Sequence, residues 1–454
     1  MRIRRLIAIG LVAVACSGAA SATRTAVAPP LIGANYSHYA NVDCSLDDTG
    51  IISHYDERGV RRRVEAQLGA MHAAGIETLR LLLWHMSDAS GQRWGVVSSA
   101  GGRLAEPVRS NLIRYLRDVR RAGFDRFTLT FAPEWTNWPL QEPYDPATFE
   151  ENWKLLEQVR PLLKRFGPPD TRIDLSNEVV PRDNWDSPTV VTQAKEYIRK
   201  MWTRYVDAFG RDDASFSIIG GNGPEDAVPR LRNLLDVLRA TGRPLPLWFD
   251  VHPPYDHDGA LATLHAVDAV LKADGLPQAL VVGEEAYDDA PVARAINEFI
   301  GTSSRRVDEV IEWPLRASRP CKDISVSAPY RADAYITTLT GRPAPPPTPD
   351  PLPLPPVQTL HASVGPGRAI SLKTADGQPA EELDSGPYRI VTSDRSTRDN
   401  FHLTGPDIDR KTGRSFRGTV VWHVDIGDGV PYGSPYSYSS DRRSARLRRS
   451  FRIS

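Results

Sequence analysis

Two glutamates stand where this chain could do acid, base or nucleophilic chemistry. The stretch Arg172 to Glu178, Arg-Ile-Asp-Leu-Ser-Asn-Glu, alternates apolar and polar side chains as a short strand does, and it delivers Asn177 and Glu178 at its carboxyl end. A second strand-like run, Leu280-Val281-Val282-Gly283, ends on Glu284 and Glu285. One carboxyl group cannot both protonate a leaving oxygen and attack the carbon that bears it, whereas two groups facing one acetal divide those roles. Side chains alternate faces along a strand, so only one of Glu284 and Glu285 can point the same way as its partner. Arg80 lies in an apolar run, must be paired if it is buried, and has a carboxylate as its available partner. Glu134 and Asp250 are rival carboxylates after two other apolar runs, and either could bind sugar hydroxyls. Tyr36, Trp84, His85, Trp135, Trp138 and Trp185 lie in or beside strand-end loops. Each has packing as a competing role; together they favour a carbohydrate cleft.

The elements that must hold these groups follow from the pattern between Pro30 and about Gly341, where short β-rich runs alternate with longer segments of helical period. The strand candidates are 31–36, 78–83, 126–131, 172–176, 215–220, 247–251, 279–283 and 308–313. Between them lie amphipathic segments such as Val60, Val64, Leu68 and Met71, or Val108, Leu112, Tyr115 and Val119. Eight strands with intervening helices over roughly 300 residues predict an α/β fold of the closed (β/α)8 type, in which the C-terminal strand ends carry the active site. No Gly-x-Gly-x-x-Gly follows the first strand, which counts against a dinucleotide fold.

On Gly33-Ala-Asn35, Gly75-Ile-Glu-Thr-Leu-Arg80, Asn177-Glu178, His252, Gly283-Glu284 and Trp313, the barrel resembles the clan A glycoside hydrolases, and most of all their family 5 type. The resemblance implies a secreted retaining hydrolase of O-glycosidic bonds, with Glu178 as acid/base and Glu284, selected over Glu285 by the Gly-Glu pattern, as nucleophile. It further implies that Arg80 keeps the nucleophile ionised, Asn177 bonds the sugar 2-hydroxyl and Trp313 floors the subsite. Asn35, Tyr36, Trp135, His252 and Tyr255 join the expected substrate contacts. The sequence departs from the family at Tyr255, which stands three residues after His252 where the family places a tyrosine two after. No cofactor or metal is expected: no His-x-His or tight His/Asp cluster marks a strand end. The competing readings are a metal-dependent barrel hydrolase and, in a different class, an inactive barrel that binds glycans.

Residues 1–22 carry Arg2, Arg4 and Arg5, an apolar run and small residues ending Ala20-Ser21-Ala22, the pattern of a cleavable secretory signal, with lipidation at Cys16 as the alternative. Lys plus Arg and Asp plus Glu both number 56, so nothing draws this chain to nucleic acid, and no other run is long and apolar enough to span a bilayer. The expected partner is a neutral carbohydrate and the expected state a monomer. Cys44 and Cys321, following the first and eighth strands, are expected to form a disulfide across the barrel's closing seam, against the alternative of two free thiols. In residues 342–356 a proline-rich stretch, with nine prolines among the fourteen residues from Pro343 to Pro356, predicts a stiff extended linker. Residues 357–454 read as a small β-sandwich, and on the motifs from Asp394 to Pro406 and from Tyr438 to Phe451 they resemble plastocyanin-like cupredoxin domains. By that resemblance Asp399, Ser440, Arg443 and Leu447 occupy the copper-ligand positions. None reproduces a soft His2Cys set, so a copper-free accessory module is expected.

Overall fold

The computed structural model describes residues 28–39, 50–89, 95–142, 144–313, 315–317, 324–326, 331–346, 357–367, 369–383, 386–405, 408–426, 435–442 and 447–453. The leader, Cys44, Cys321, most of the proline-rich stretch and Arg443 lie outside the described residues.

Eight parallel strands form a barrel: β1 (Leu31–Asn35), β2 (Thr78–Met86), β3 (Arg126–Pro133), β4 (Asp170–Asp174), β5, β6 (Trp248–His252), β7 (Ala279–Glu285) and β8 (Val307–Glu312). β5 comes in two pieces: Ala214–Ser215 pairs with β4 and Ser217–Ile219 pairs with β6, with Phe216 fully buried at the break. Every strand pairs with its neighbours in sequence, and β8 returns to β1 with Leu31 opposite Glu309 and Ala34 opposite Glu312. The fold is a (β/α)8 barrel followed by an all-β domain.

One long helix lies in each interval between consecutive strands: α1 (Arg58–Ala73), preceded by the short helix Ile51–His54, α2 (Val108–Arg121), α3 (Thr148–Phe166), α4 (Pro188–Phe209), α5 (Pro224–Ala240), α6 (His257–Ala273) and α7 (Ala290–Thr302). Their starts are written locally. Ser187, Asp256 and Asp289 accept the backbone N–H three residues on, from Val190, Gly259 and Val292, and proline occupies the first turn of α4, α5 and α7.

Period-two alternation sorts the strand side chains into two layers. Leu79, Leu81 and Leu83 of β2, Phe249 and Val251 of β6, and Leu280 and Val282 of β7 join the core shared with the helices. Trp248, Ala279, Val281 and Ile311 form a separate apolar cluster. Beside it the barrel is unusually polar. Buried Glu309 accepts from Thr78 Oγ1 at 2.9 Å and pairs with Arg126 at 3.1 Å and Arg172 at 2.8 Å, while the Arg172 guanidinium lies 5.2 Å from the Trp248 ring centroid. Gly33 makes room for this closure, because a Cβ there would lie 2.5 Å from Thr78 Cγ2 and 3.2 Å from Ile311 Cγ1.

The C-terminal domain has a four-stranded sheet, in order β10 (Ile370–Thr374), β9 (Gln358–Val364), β12 (Gly386–Asp394) and β15 (Gly418–Ile426). Its second sheet has five strands, in order β11 (Glu382–Leu383), β17 (Arg448–Ile453), β16 (Pro435–Ser439), β13 (His402–Thr404) and β14 (Asp409–Lys411). Residues of both sheets, among them Leu360, Leu372, Ile390, Leu403, Ile426, Tyr436 and Phe451, share one core, which makes the domain a sandwich.

Replacing Glu309 by leucine removes the carboxylate that Arg126 and Arg172 share, while Asp170, 2.6 Å from Arg126, and Asp308, 2.8 Å from Arg172, remain. The expected loss is about 2 kcal/mol, the scale of lost hydrogen bonds to charged groups rather than of an unpaired buried charge, and urea unfolding of the variant checks it.

Candidate active site

The site is built around Arg80, fully buried near the start of β2. Its Nη1 donates to Glu284 Oε1 at 2.8 Å and to Asn35 Oδ1 at 3.0 Å, and its Nη2 donates to Asn177 Oδ1 at 2.8 Å and to Asp174 Oδ2 at 3.3 Å. Its Nε lies 3.7 Å from Asp250 Oδ2. Asn35 is fixed in turn by donating from Nδ2 to the Gly283 carbonyl at 2.9 Å. Four other strands thus send groups to one guanidinium.

Beyond β4 the chain continues in register through Leu175, whose N–H reaches the Ser215 carbonyl at 2.9 Å, and Asn177, whose N–H reaches the Phe131 carbonyl at 2.7 Å. It then turns at Glu178, which has a left-handed φ of 50° and donates its N–H to Ser217 Oγ at 2.8 Å. A non-glycine residue in that region costs on the order of 1 kcal/mol and is held by its surroundings. Glu178 Oε1 lies 2.7 Å from His252 Nδ1, at the end of β6, while Oε2 has no partner among the described residues. Glu284 is held at both oxygens, Oε1 by Arg80 and Oε2 by Trp313 Nε1 at 3.1 Å.

Local pairing decides which glutamate of β7 faces this cluster. From Val310 to Glu312, β8 advances two residues, while β7 advances three, from Val282 to Glu285. The extra residue is a bulge that restarts the alternation. Glu284 turns to Arg80, whereas Glu285 falls in phase with Val282 and is fully buried, with neither oxygen hydrogen-bonded among the described residues.

The carboxyl groups therefore differ in environment. Burial opposes ionisation of Glu284, but the charges of His252 and Arg80 and the hydrogen bonds from Arg80 and Trp313 hold its carboxyl below the usual range. Burial alone would push His252 down; the charges of Glu284 and Asp250 and the contact with Glu178 hold it well above an ordinary imidazole. Burial raises Asp174 to about 6 despite the pull of Arg80. Burial also raises Glu285 well above a normal carboxyl, and raises Glu134 to about 6. Two cations, Arg80 and His252, are thus set among four carboxyl groups, Glu178, Glu284, Asp174 and Asp250.

Other expectations need correction. Tyr36 points away from the cluster: it is fully buried on the helix side, its hydroxyl bonded to Gln67 and its ring 6.5 Å from that of Tyr115, so no sugar reaches it. Alternation is the reason, since Tyr36 follows the inward-facing Asn35. Asp250 is fully buried behind His252 and cannot bind a hydroxyl of substrate. Tyr255 is 54% exposed and makes no hydrogen bond to Glu284, although burial of its hydroxyl and the charges of Glu284, Glu285 and Glu178 push its ionisation up. Trp135 is 55% exposed, with φ 47°, in the turn after β3. Trp313 carries a hydrogen bond to Glu284 that a stacking role alone did not anticipate. Asp174 and Ser217, absent from the expected set, orient the β4 end: Asp174 Oδ1 accepts from the N–H of Ser176 at 3.3 Å and of Ser217 at 3.2 Å. The signal was available, since Asp174 is in phase with Arg172, as Asp250 is with His252.

Glu178, His252 and Glu284 bring one ligand-type atom each within 4.8 Å of one another, the sole such group of three among the described residues. Glu284 is engaged by Arg80 and Trp313 and Glu178 Oε1 by His252 Nδ1, while Glu178 Oε2 has no partner among the described residues. In the C-terminal domain the Ser440 hydroxyl donates to Asp399 Oδ1 at 3.1 Å and the Ser440 N–H reaches the Leu447 carbonyl at 3.2 Å. His402 is taken up by Asp441 on Nδ1 and by Asp409, at 2.8 Å, on Nε2. These residues do not fit blue copper, which needs a thiolate and two free imidazole nitrogens.

No family model matches the sequence, and no curated protein matches it. Similar solved structures include a conserved exported protein from Bacteroides fragilis, with 10% identity, a TM-score of 0.47, and 87% of this chain and 95% of that one covered. The endo-beta-1,4-mannanase from Thermotoga petrophila has 12% identity and a TM-score of 0.41, covering 93% of this chain and 97% of that one. Cel5A (EG2) from Hypocrea jecorina has 12% identity and a TM-score of 0.44, covering 70% of this chain and 98% of that one. At such identities and scores the likeness adds nothing to the reading of the site, which stands on its own geometry.

Glu285 offers a pH-dependent test of the bulge. Its folded pKa lies above the unfolded value near 4.3, so its contribution to stability is complete below about pH 4 and is lost as pH rises towards the folded value, by about 1.4 kcal/mol per unit. Glu285→Gln is expected to match the wild type in Tm near pH 4, to exceed it above about pH 7, and to retain function; thermal unfolding across that range decides.

Proposed function

We propose that the chain is an exported retaining glycoside hydrolase acting on a glycoside or polysaccharide. The observation that carries this reading is the unlike pair: Glu284, ionised and gripped at both oxygens, and Glu178, engaged at Oε1 only, with the nearest of their oxygens within 4.8 Å. Carboxyl groups about 5–5.5 Å apart suit a covalent double displacement, whereas inverting pairs stand about 6.5–9.5 Å apart to admit a water.

In the first step a Glu284 oxygen attacks the anomeric carbon as the bond to the leaving oxygen breaks, and a proton on Glu178 Oε2 passes to that oxygen. A glycosyl ester of Glu284 and a free alcohol result. In the second, Glu178, now a carboxylate, takes a proton from water while the water oxygen attacks the anomeric carbon, the ester bond breaks, and Glu284 returns to its carboxylate form. His252 supports both steps by holding Oε1 and turning Oε2 to the substrate. Arg80 and Trp313 hold Glu284 for attack and stabilise it as leaving group. Asn177 spends its Oδ1 on Arg80, leaving its Nδ2 donors without a partner among the described residues and available to the sugar 2-hydroxyl. The signal-like leader supports export, and exposed Trp135 and Tyr255 supply rings for the sugar chain.

Screening purified protein against aryl β-glycosides and polysaccharides tests the reading, and binding without turnover would favour the inactive glycan-binding barrel instead. Glu178→Gln and Glu284→Gln are each expected to lower kcat/KM by about 10²–10⁴-fold or more without altering Tm by more than a few degrees. Azide should restore turnover to Glu284→Gly with inverted product, and a retained product or no rescue would remove the nucleophile assignment.

A further inference from the structure

Beneath the two glutamates lies a group of polar atoms that the proposed reaction does not use. Both oxygens of Asp250, Nε of Arg80 and Nε2 of His252 are buried without a hydrogen bond among the described residues. They nevertheless converge: Arg80 Nε stands 3.7 Å from Asp250 Oδ2, and His252 Nε2 stands 3.6 Å from Asp250 Oδ1. These are charge contacts, slightly too long for hydrogen bonds. Asp250 is held from behind by the backbone of β7, since a Cβ on Gly283 would lie 2.2 Å and 2.5 Å from its two oxygens. Glycine immediately before Glu284 is therefore required by a side chain of the neighbouring strand. Arg80 grips Glu284 and His252 grips Glu178; Glu284 Oε1 also stands 3.6 Å from His252 Nδ1, and Asp250 contacts both cations through their remaining nitrogens, Nε of Arg80 and Nε2 of His252.

We propose that Asp250 is a positioning residue for both glutamates: packed against Gly283, it fixes His252 as the imidazolium that orients Glu178 and holds the Arg80 fork against Glu284. It is fully buried and meets no substrate. The other charged groups facing this pair are Asp174 from β4, Glu178 from the turn after it, and Glu284 and Glu285 from β7. Of these, Asp174 is committed to the β4 turn and to Arg80 Nη2, and Glu285 lies on the helix side of the bulge, so neither replaces Asp250 at Nε2 of His252.

Asp250→Asn keeps the shape and removes the charge. The catalytic arm of the test rests on the hydrolase reading above. On an aryl glycoside that the wild type cleaves, kcat should fall about tenfold or more with KM within about twofold, because a misaimed acid and nucleophile lose transition-state rather than ground-state contacts. The alkaline limb of the kcat/KM profile should move to lower pH, since loss of a nearby negative charge releases the protons of the Glu178–His252 pair more easily. The second arm needs no substrate: ¹⁵N NMR of the full chain should show His252 doubly protonated near pH 7 in the wild type, and titrating at lower pH in Asp250→Asn and in Gly283→Ala, where the added methyl displaces Asp250. A neutral His252 near pH 7 in the wild type overturns the proposal, whether or not either variant folds. So does a folded Asp250→Asn whose His252 titration and pH profile match the wild type. If no glycoside is cleaved, the hydrolase reading fails while the NMR arm still decides the role of Asp250.

Discussion

A guanidinium sealed inside a barrel must be paired, and here that requirement binds the fold to the site. Arg80 is fully buried, and β1, the end of β4, β6 and β7 each supply it with an oxygen, from Asn35, from Asp174 and Asn177, from Asp250 and from Glu284. Moving a charge of this kind out of water costs several kcal/mol unless good geometry and further hydrogen bonds offset it. The offset exists only when β1 and β2 lie beside β7 and β8 in a closed ring, so barrel closure and the orientation of Glu284 are one condition. Glu309 applies the same logic elsewhere inside the barrel, where Thr78, Arg126 and Arg172 of three strands converge on one carboxylate.

The departures from regular geometry cluster at Glu178 and Glu284. Glu178 adopts a left-handed φ, anchored by Ser217 Oγ, and β7 bulges at Gly283-Glu284. Neither feature helps the sheet: the first strains the backbone and the second interrupts a ladder. Both re-aim a carboxyl group that regular strands would have pointed elsewhere. They persist because the surrounding contacts, Asn35 to the Gly283 carbonyl and the Asn177 N–H to the Phe131 carbonyl among them, leave these segments no easier path.

The cluster also explains how chemically identical side chains come to differ. Glu284 meets two donors and two positive charges and is held below the usual carboxylate range; Glu285, its neighbour in sequence, is fully buried with neither oxygen hydrogen-bonded among the described residues and is pushed well above it. Glu284 and Glu178 differ too in how many of their oxygens the protein occupies, two in the first and one in the second.

Much of this was legible in the chain itself. Eight alternations of β-rich and helical period, Asn177 and Glu178 at the end of the fourth, and an arginine in an apolar run that demanded a carboxylate are local facts, and secondary structure depends chiefly on local pattern. The β character of the C-terminal residues was likewise written in their short runs and turns. The facing of Tyr36 could have been read from its neighbour Asn35, and the inward turn of Asp174 and Asp250 from their phase with Arg172 and His252, because alternation is also local. Alternation could not choose between Glu284 and Glu285, a choice that rested on the Gly-Glu pattern of the resemblance alone. Counting by two from Val281 through Gly283 arrives at Glu285, and only the extra residue in the pairing with β8 shifts the phase to Glu284. The burial of Asp250 against Gly283 and the approach of His252 to Glu178 are equally invisible in one dimension, since each joins strands whose relative height is set by the register of the whole barrel. Periodicity determines which way a side chain points from its own strand; what it meets there is decided by packing and pairing across strands distant in sequence.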